Sequence, residues 1–169
     1  MLTGCIKMKR KRVFLMCGLP GSGKSTWVKE RIAEYGGVHV SRDAIRFEML
    51  NEGDEYFTNE KQVFNKFVRL ANEAIANPNV TDIYIDATHL NKASRHKITS
   101  ALQMTKYNKL YIAVYFDVSP EICKARNAQR SGRALVPDSV IDNMSKNFTK
   151  PAYGFDEVWT IDFEGRRLD

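Results

Sequence analysis

The chain has 169 residues, is 43% hydrophobic and 27% charged, and carries a net charge of +6 with a pI of about 9.2. That length fits one domain with one core, and no apolar run approaches the roughly 20 residues that cross a bilayer. The charged start, Met1 to Arg12, lacks the apolar centre of a secretory signal. Cys5, Cys17 and Cys123 have neither metal nor redox spacing and read as reduced thiols, so a cytoplasmic protein is expected. The basic balance suits a polyanionic partner, although the Lys and Arg of a phosphate site produce the same excess.

Lys7 to Arg12 holds five basic residues in six positions. It reads as a solvated tail, or as a nucleic-acid contact, ahead of a domain spanning 13–169. Val13 to Cys17 is apolar without alternation, as a strand buried on both faces requires. Lys24 to about Tyr35 predicts a helix stopped by Gly36-Gly37. Val38 to Ser41 predicts a second strand, and Asp43 to about Leu50 a short helix. From Asn59 to about Ala76, residues Val63, Phe64, Phe67, Val68, Ala71, Ala74 and Ile75 fall on one helical face. Asn77-Pro78 ends that helix.

Val80 to Ile85 predicts a third strand ending at Asp86. Asn91 is placed to cap a helix running to about Tyr107. Leu110 to Phe116 is the most apolar strand. Pro120 opens a helix to about Gln129, and Arg130 to Arg133 is a glycine-bearing, mobile link. Pro137 opens another helix to about Asn147, and Glu157 to Ile161 is the last strand. Strands alternating with helices predict an α/β fold, a parallel sheet with helices on both faces.

Gly18-Leu19-Pro20-Gly21-Ser22-Gly23-Lys24-Ser25 matches G-x-x-x-x-G-K-S in full. The pattern arises by chance in roughly one chain in 200 of this length. Here it also follows a buried-strand pattern and opens a helix, which is the setting it needs. Its glycines let successive N–H groups point at phosphate oxygens, and the helix offers its positive end to the same anion. Lys24 is then the point charge on the β- and γ-phosphates, and Ser25 Oγ a Mg²⁺ ligand. Asp86, at a strand end, is a second candidate for Mg²⁺, directly or through water.

Ser41-Arg42-Asp43-Ala44-Ile45-Arg46 leaves the second strand at the sheet edge that carries the P-loop. Asp43 is placed either to take a proton from an acceptor hydroxyl or to cap the short helix. Arg46 shares its helical face and can hold an acceptor phosphate. Arg126 and Arg130 are i, i+4 neighbours with Arg133 beyond, able to clamp a transferring phosphoryl group or to form an ordinary basic helix end. His89 and His96 lack metal-like partners and read as surface or loop residues.

These stretches, together with Thr26-Trp27, Asp86-Ala87-Thr88-His89-Leu90-Asn91, Phe116-Asp117-Val118 and Arg126-Asn127 to Val136-Pro137, resemble the kinase domain of phage-type 5′-polynucleotide kinases. That group lies among P-loop kinases that include zeta-toxin-like proteins. The resemblance implies a three-layer α/β/α, adenylate-kinase-like fold with a five-stranded parallel sheet and an arginine-bearing lid. It implies transfer of the γ-phosphate of ATP, with Mg²⁺, to the 5′-hydroxyl of DNA or RNA. By the resemblance Asp43 is the general base and Arg46 binds the phosphate 3′ to the acceptor nucleoside. Asp86 supports the site, orienting Arg46 rather than holding metal, Arg42 and Thr88 belong to the substrate side, and Arg126 and Arg130 contact ATP. No Asp-x-Asp-x-Thr phosphatase motif is present, so removal of 3′-phosphates is not expected. A related kinase of a small molecule, nucleotide sugar or charged tRNA is the alternative, disfavoured by Arg46 and the basic balance. A binding module without phosphoryl transfer is a third, disfavoured by Asp43.

Overall fold

A computed structural model describes residues 10–104 and 109–169. Its elements in chain order are β1 (Lys11–Cys17), α1 (Lys24–Tyr35), β2 (Val38–Ser41), α2 (Arg42–Met49), α3 (Glu60–Ala76), β3 (Asp82–Asp86), α4 (Lys92–Ala101), β4 (Lys109–Phe116), α5 (Pro120–Asn127), α6 (Asp138–Lys146) and β5 (Glu157–Ile161). A short 3-10 turn, Gly132–Ala134, lies between α5 and α6. The five strands form one parallel sheet in the order β2-β3-β1-β4-β5.

The period of 2 along β1 explains why its sequence shows no polar face. Val13, Leu15 and Cys17 point to one layer and pack with Val40, Ile83 and Ile85 against Ile45, Val63, Phe67 and Ile98 of α2, α3 and α4. Phe14 and Met16 point to the other and pack with Tyr84, Ile112 and Val114 against Trp27, Val28, Cys123 and Ile141 of α1, α5 and α6. Each such buried side chain contributes about 1.5–3 kcal/mol of transfer free energy. Two apolar layers on one sheet make the predicted α/β/α architecture. Because all strands are parallel, Cys17, Ser41, Asp86, Phe116 and Ile161 end at one edge, and the loops after them form a single rim.

β1 starts at Lys11, two residues before the expected boundary. Lys11 is buried, and its ammonium donates to the carbonyls of Asn77 (2.6 Å) and Val80 (2.7 Å) just after α3. Arg12 pairs with Asp82 through Nε (2.8 Å) and a second guanidinium nitrogen (2.5 Å). Arg10 Nε donates to the Lys109 carbonyl. These three residues of the basic run are therefore strand anchors at the sheet edge opposite the rim, about 20 Å from it along a seven-residue strand. Lys7 to Lys9, and Cys5, lie outside the described residues.

α4 ends at Ala101, short of the expected Tyr107. The Asn72 side chain stops it, its amide donating to the Ala101 carbonyl (3.1 Å) while its oxygen accepts from the Gln103 N–H (2.8 Å). Leu102 leaves the helix in an extended conformation and is buried in the core, and Met104, whose N–H donates to the Leu102 carbonyl (2.8 Å), packs against it. Residues 105–107 of the expected helix lie outside the described residues. Asn91 caps α4 as expected, in a reciprocal capping box with Ser94. Cys17 and Cys123 are free thiols, both buried. Among the described residues no helix is long and apolar enough to cross a membrane.

Candidate active site

The P-loop follows β1 and is braced from below. The Gly18 N–H donates to the Thr88 carbonyl (3.0 Å), tying the loop to the segment after β3. Gly21 has φ +82, and a Cβ there would lie 2.3 Å from the Cys123 carbonyl oxygen, so glycine is required for α5 to approach this closely. Gly23, at φ 99, turns the chain into α1 without offering a side-chain cap. Among the described α-helices only α1 lacks both a side-chain cap and an acid in its first turn. Its N-terminal amides and the positive end of its dipole are thus left to an external anion, which is the condition for phosphate.

Lys24 is buried and curls under the loop, its ammonium donating to the carbonyls of Gly18 (2.9 Å) and Leu19 (2.7 Å). Burial lowers its pKa, opposed by the charges of Asp86 and Asp43, with Arg130 adding to the lowering. Three residues singled out in the sequence, from three different segments, therefore act electrostatically on the P-loop lysine. Ser22 is buried in the loop, and Pro20, Ser25 and Thr26 are at least partly exposed.

Asp86 ends β3 and is buried. Its Oδ2 accepts from Ser25 Oγ (2.7 Å) and lies 2.9 Å from His39 Nε2. Burial alone would raise this carboxyl, but the His39 contact, the Lys24 charge and the Ser25 hydroxyl outweigh it and hold the pKa below the ordinary value. An ionised carboxylate beside a serine hydroxyl is a hard-oxygen pair. It fits Mg²⁺, which keeps several waters and takes the rest of its ligands from phosphates. The resemblance had Asp86 orienting Arg46; instead its partners are Ser25 and His39, and Arg46 is held by other residues.

Arg46 is buried on α2. It donates to Glu60 Oε1 through Nε (2.6 Å), pairs with the Asp43 carboxylate, and donates to the Tyr56 hydroxyl (2.7 Å). Burial works against its charge, yet Glu60, Tyr56 and Asp43 together keep its pKa above the usual guanidinium value. Glu60 is held below the ordinary carboxylate range, Arg46 and Arg42 overcoming its partial burial. Arg42 donates to Glu60 Oε2 (2.7 Å), so it braces Glu60 rather than facing the rim alone.

Asp43 does not cap α2. Ser41 does, its Oγ accepting from the Ala44 N–H (3.2 Å). The Asp43 side chain is 65% exposed, so one face of its carboxylate is open to an incoming group while Arg46 and Tyr56 orient the other.

Arg126 reaches over the loop: a Cβ on Gly23 would meet its guanidinium at 3.6 Å, and it donates to the Phe163 carbonyl (2.5 Å). Arg130 is exposed. Arg133 donates to the Asn51 carbonyl (2.6 Å), joining the arginine-bearing segment to the link after α2. Buried Asn127 clasps that segment's far end through Val136, donating to its carbonyl (2.6 Å) and accepting from its N–H (3.1 Å). Two clefts flank the loop. One of about 510 Å³ touches Leu19, Asp117 and Phe163, and one of about 630 Å³ runs from Ser25 past His39, Ser41 and Glu48.

His89 lies in the loop after β3, one of the two settings expected of it, but it is not at the surface. It is buried at φ 42, with Nδ1 2.6 Å from the Met16 carbonyl. Burial pushes its pKa down to about 4, only partly opposed by that carbonyl, so the ring is neutral and Nδ1 carries the donated proton. Glu60, Tyr56 and His39 carried no recognisable signal in the sequence.

The family model for AAA_33, an AAA domain, matches residues 13–151. A protein of Acanthamoeba polyphaga mimivirus, provisionally named bifunctional polynucleotide phosphatase/kinase, is 28% identical over 166 residues, covering 93% of this chain and 34% of its own length. The chain thus spans about a third of that curated relative. Among solved structures, a fungal RNA kinase matches with a TM-score of 0.63 at 16% identity, covering 90% of this chain and 75% of that one. A sugar kinase from Janibacter sp. HTCC2649 matches at 0.61 and 18% identity, covering 94% and 88%. The chain belongs to the AAA_33 family, and its fold is that of the P-loop kinases.

Proposed function

We propose that this protein is an ATP-dependent kinase that phosphorylates the 5′-hydroxyl of a nucleic-acid end. The observation that carries this reading is the Asp43–Arg46 pair. It stands on the rim beside the P-loop, and Asp43 is near enough for its charge to act on Lys24. A donor cradle alone needs no base opposite it; a transferase does. The partly exposed arginine-bearing α5 and the net charge of +6 suit a phosphodiester-bearing acceptor. The mimivirus relative, by its name a polynucleotide phosphatase/kinase, supports the same acceptor class.

In this reading the amides of Gly21 to Ser25 and the N-terminus of α1 bind the phosphates. Lys24 exchanges its two carbonyl partners for phosphate oxygens. Ser25 and Asp86 would hold Mg²⁺, which would neutralise charge on the phosphate oxygens. Gly18, Pro20, Ser22 and Thr26 shape the cradle, and Arg126 and Arg130 meet the nucleotide from the lid. Asp43 takes the proton of the acceptor hydroxyl, while Arg46 neutralises the neighbouring phosphate. Arg42 acts through Glu60 to fix Arg46, and Thr88 acts through its carbonyl on Gly18.

The test is acceptor choice. With γ-labelled ATP and Mg²⁺, label is expected on 5′-hydroxyl DNA or RNA oligonucleotides, and not on 5′-phosphorylated controls, nucleosides or free sugars. Label on free sugars or nucleosides with none on oligonucleotides would overturn the reading.

A further inference from the structure

The end of α2 and the link to α3 hold an aromatic group that stands outside the two apolar layers. Phe47, Tyr56 and Phe57 pack edge to face, with ring centroids 6.1 Å (Phe47–Tyr56) and 4.8 Å (Tyr56–Phe57) apart. Phe57 is 61% exposed and Phe47 38% exposed, and neither belongs to the two core clusters. The group is fixed to the candidate acceptor site. The Tyr56 hydroxyl donates to Asp43 Oδ1 at 3.0 Å, and the Arg46 guanidinium carbon lies 4.4 Å from the Tyr56 ring centroid and 5.7 Å from that of Phe57. Whatever group brings a hydroxyl to Asp43 therefore brings its nearest substituent past these rings.

We propose that Phe57, supported by Tyr56 and Phe47, is a stacking platform for the terminal nucleobase of the acceptor strand. This rests on the nucleic-acid reading of the site and adds a determinant to it. The charges on the link decide between base and backbone. Glu52, Asp54 and Glu55 run up to Tyr56 and Phe57 in sequence, and three carboxylates repel a phosphate track while leaving an uncharged base free to stack. Every base has a π-face, so such a platform reads the presence of a terminal base rather than its identity. Arg46, lodged beside the rings, meets the phosphate on the far side of the same nucleotide.

The test compares kcat/KM for two 5′-hydroxyl oligonucleotides, identical except that one lacks the terminal base. The wild type should prefer the base-bearing end by roughly tenfold or more, mainly through KM. Phe57→Ala should bring that ratio close to one, and Phe57→Trp should keep it. As an independent readout, terminal 2-aminopurine fluorescence should be quenched on binding to the wild type and not to Phe57→Ala. Equal wild-type rates on the two ends, or an undiminished ratio in Phe57→Ala, would overturn the platform while leaving the kinase reading intact. Label on neither end would overturn the kinase reading and the platform with it. A dimer in sedimentation that Phe57→Ala dissolves, with equal rates on both ends, would assign the patch to self-association instead.

Discussion

His89 makes the stability of this protein depend on pH in a calculable way. Its ring is buried and its pKa falls from 6.5 to about 4. In the unfolded chain the same histidine returns to its ordinary value, so between these limits the unfolded state binds more protons. Stability from this residue is therefore complete above about pH 6.5 and is lost as pH falls towards 4. The full shift corresponds to about 3 kcal/mol, of which about 2 kcal/mol is lost between pH 7.5 and pH 5. His89→Asn is the informative variant. Asn tolerates the left-handed backbone that φ 42 demands and keeps a donor for the Met16 carbonyl, but it does not titrate. Urea unfolding followed by the fluorescence of the buried Trp27 and Trp159 gives both stabilities at pH 7.5 and 5. The wild type should lose about 2 kcal/mol more than the variant over that interval. Equal losses would mean that His89 does not titrate in this window, and the reasoning from burial would fail.

Three other substitutions probe the rim. Gly21→Ala forces a Cβ to within 2.3 Å of a backbone oxygen at a positive φ, so thermal unfolding should shift down by about 5 °C or more, and an unchanged midpoint would refute the close approach. Asp86→Asn removes the carboxylate shared by Ser25 and His39, so the Mg²⁺ concentration for half-maximal turnover should rise about tenfold or more; an unchanged Mg²⁺ titration would take Asp86 out of the metal site. Tyr56, whose pKa burial and the Asp43 charge push up to about 12, stays a donor to Asp43. Tyr56→Phe should cost about 1 kcal/mol of stability and lower kcat several-fold through a misoriented Asp43, and wild-type kcat would show that Tyr56 orients nothing.

What could be read from the chain depended on how far apart the partners lie. The P-loop is contiguous, and its glycines, lysine and serine carry their own reason for being there. Asp43 and Asp86 were legible because each ends or follows a strand, and parallel strands deliver their ends to one edge. The residues that hold them were not. Glu60 reaches Arg46 from 14 residues away, and His39 meets Asp86 across 47. No local pattern marks either. The burial of His89 within its loop left no local mark, because the carbonyl it meets, that of Met16, lies 73 residues away. The basic run was misjudged at its end because Lys11 and Arg12 satisfy groups 66 to 70 residues away. The length of α4 was overestimated because Asn72, on another helix, terminates it.

The proposed transfer depends on Asp43 taking the proton of a 5′-hydroxyl. The most direct measurement compares wild type with Asp43→Asn for transfer of γ-labelled phosphate to a 5′-hydroxyl oligonucleotide, with ATP affinity measured in parallel. The wild type should label the 5′ end. The variant should be slower by about 10²–10⁴-fold, with ATP bound as tightly as before. Full transfer by Asp43→Asn, or loss of ATP binding in step with activity, would contradict a general-base role for Asp43.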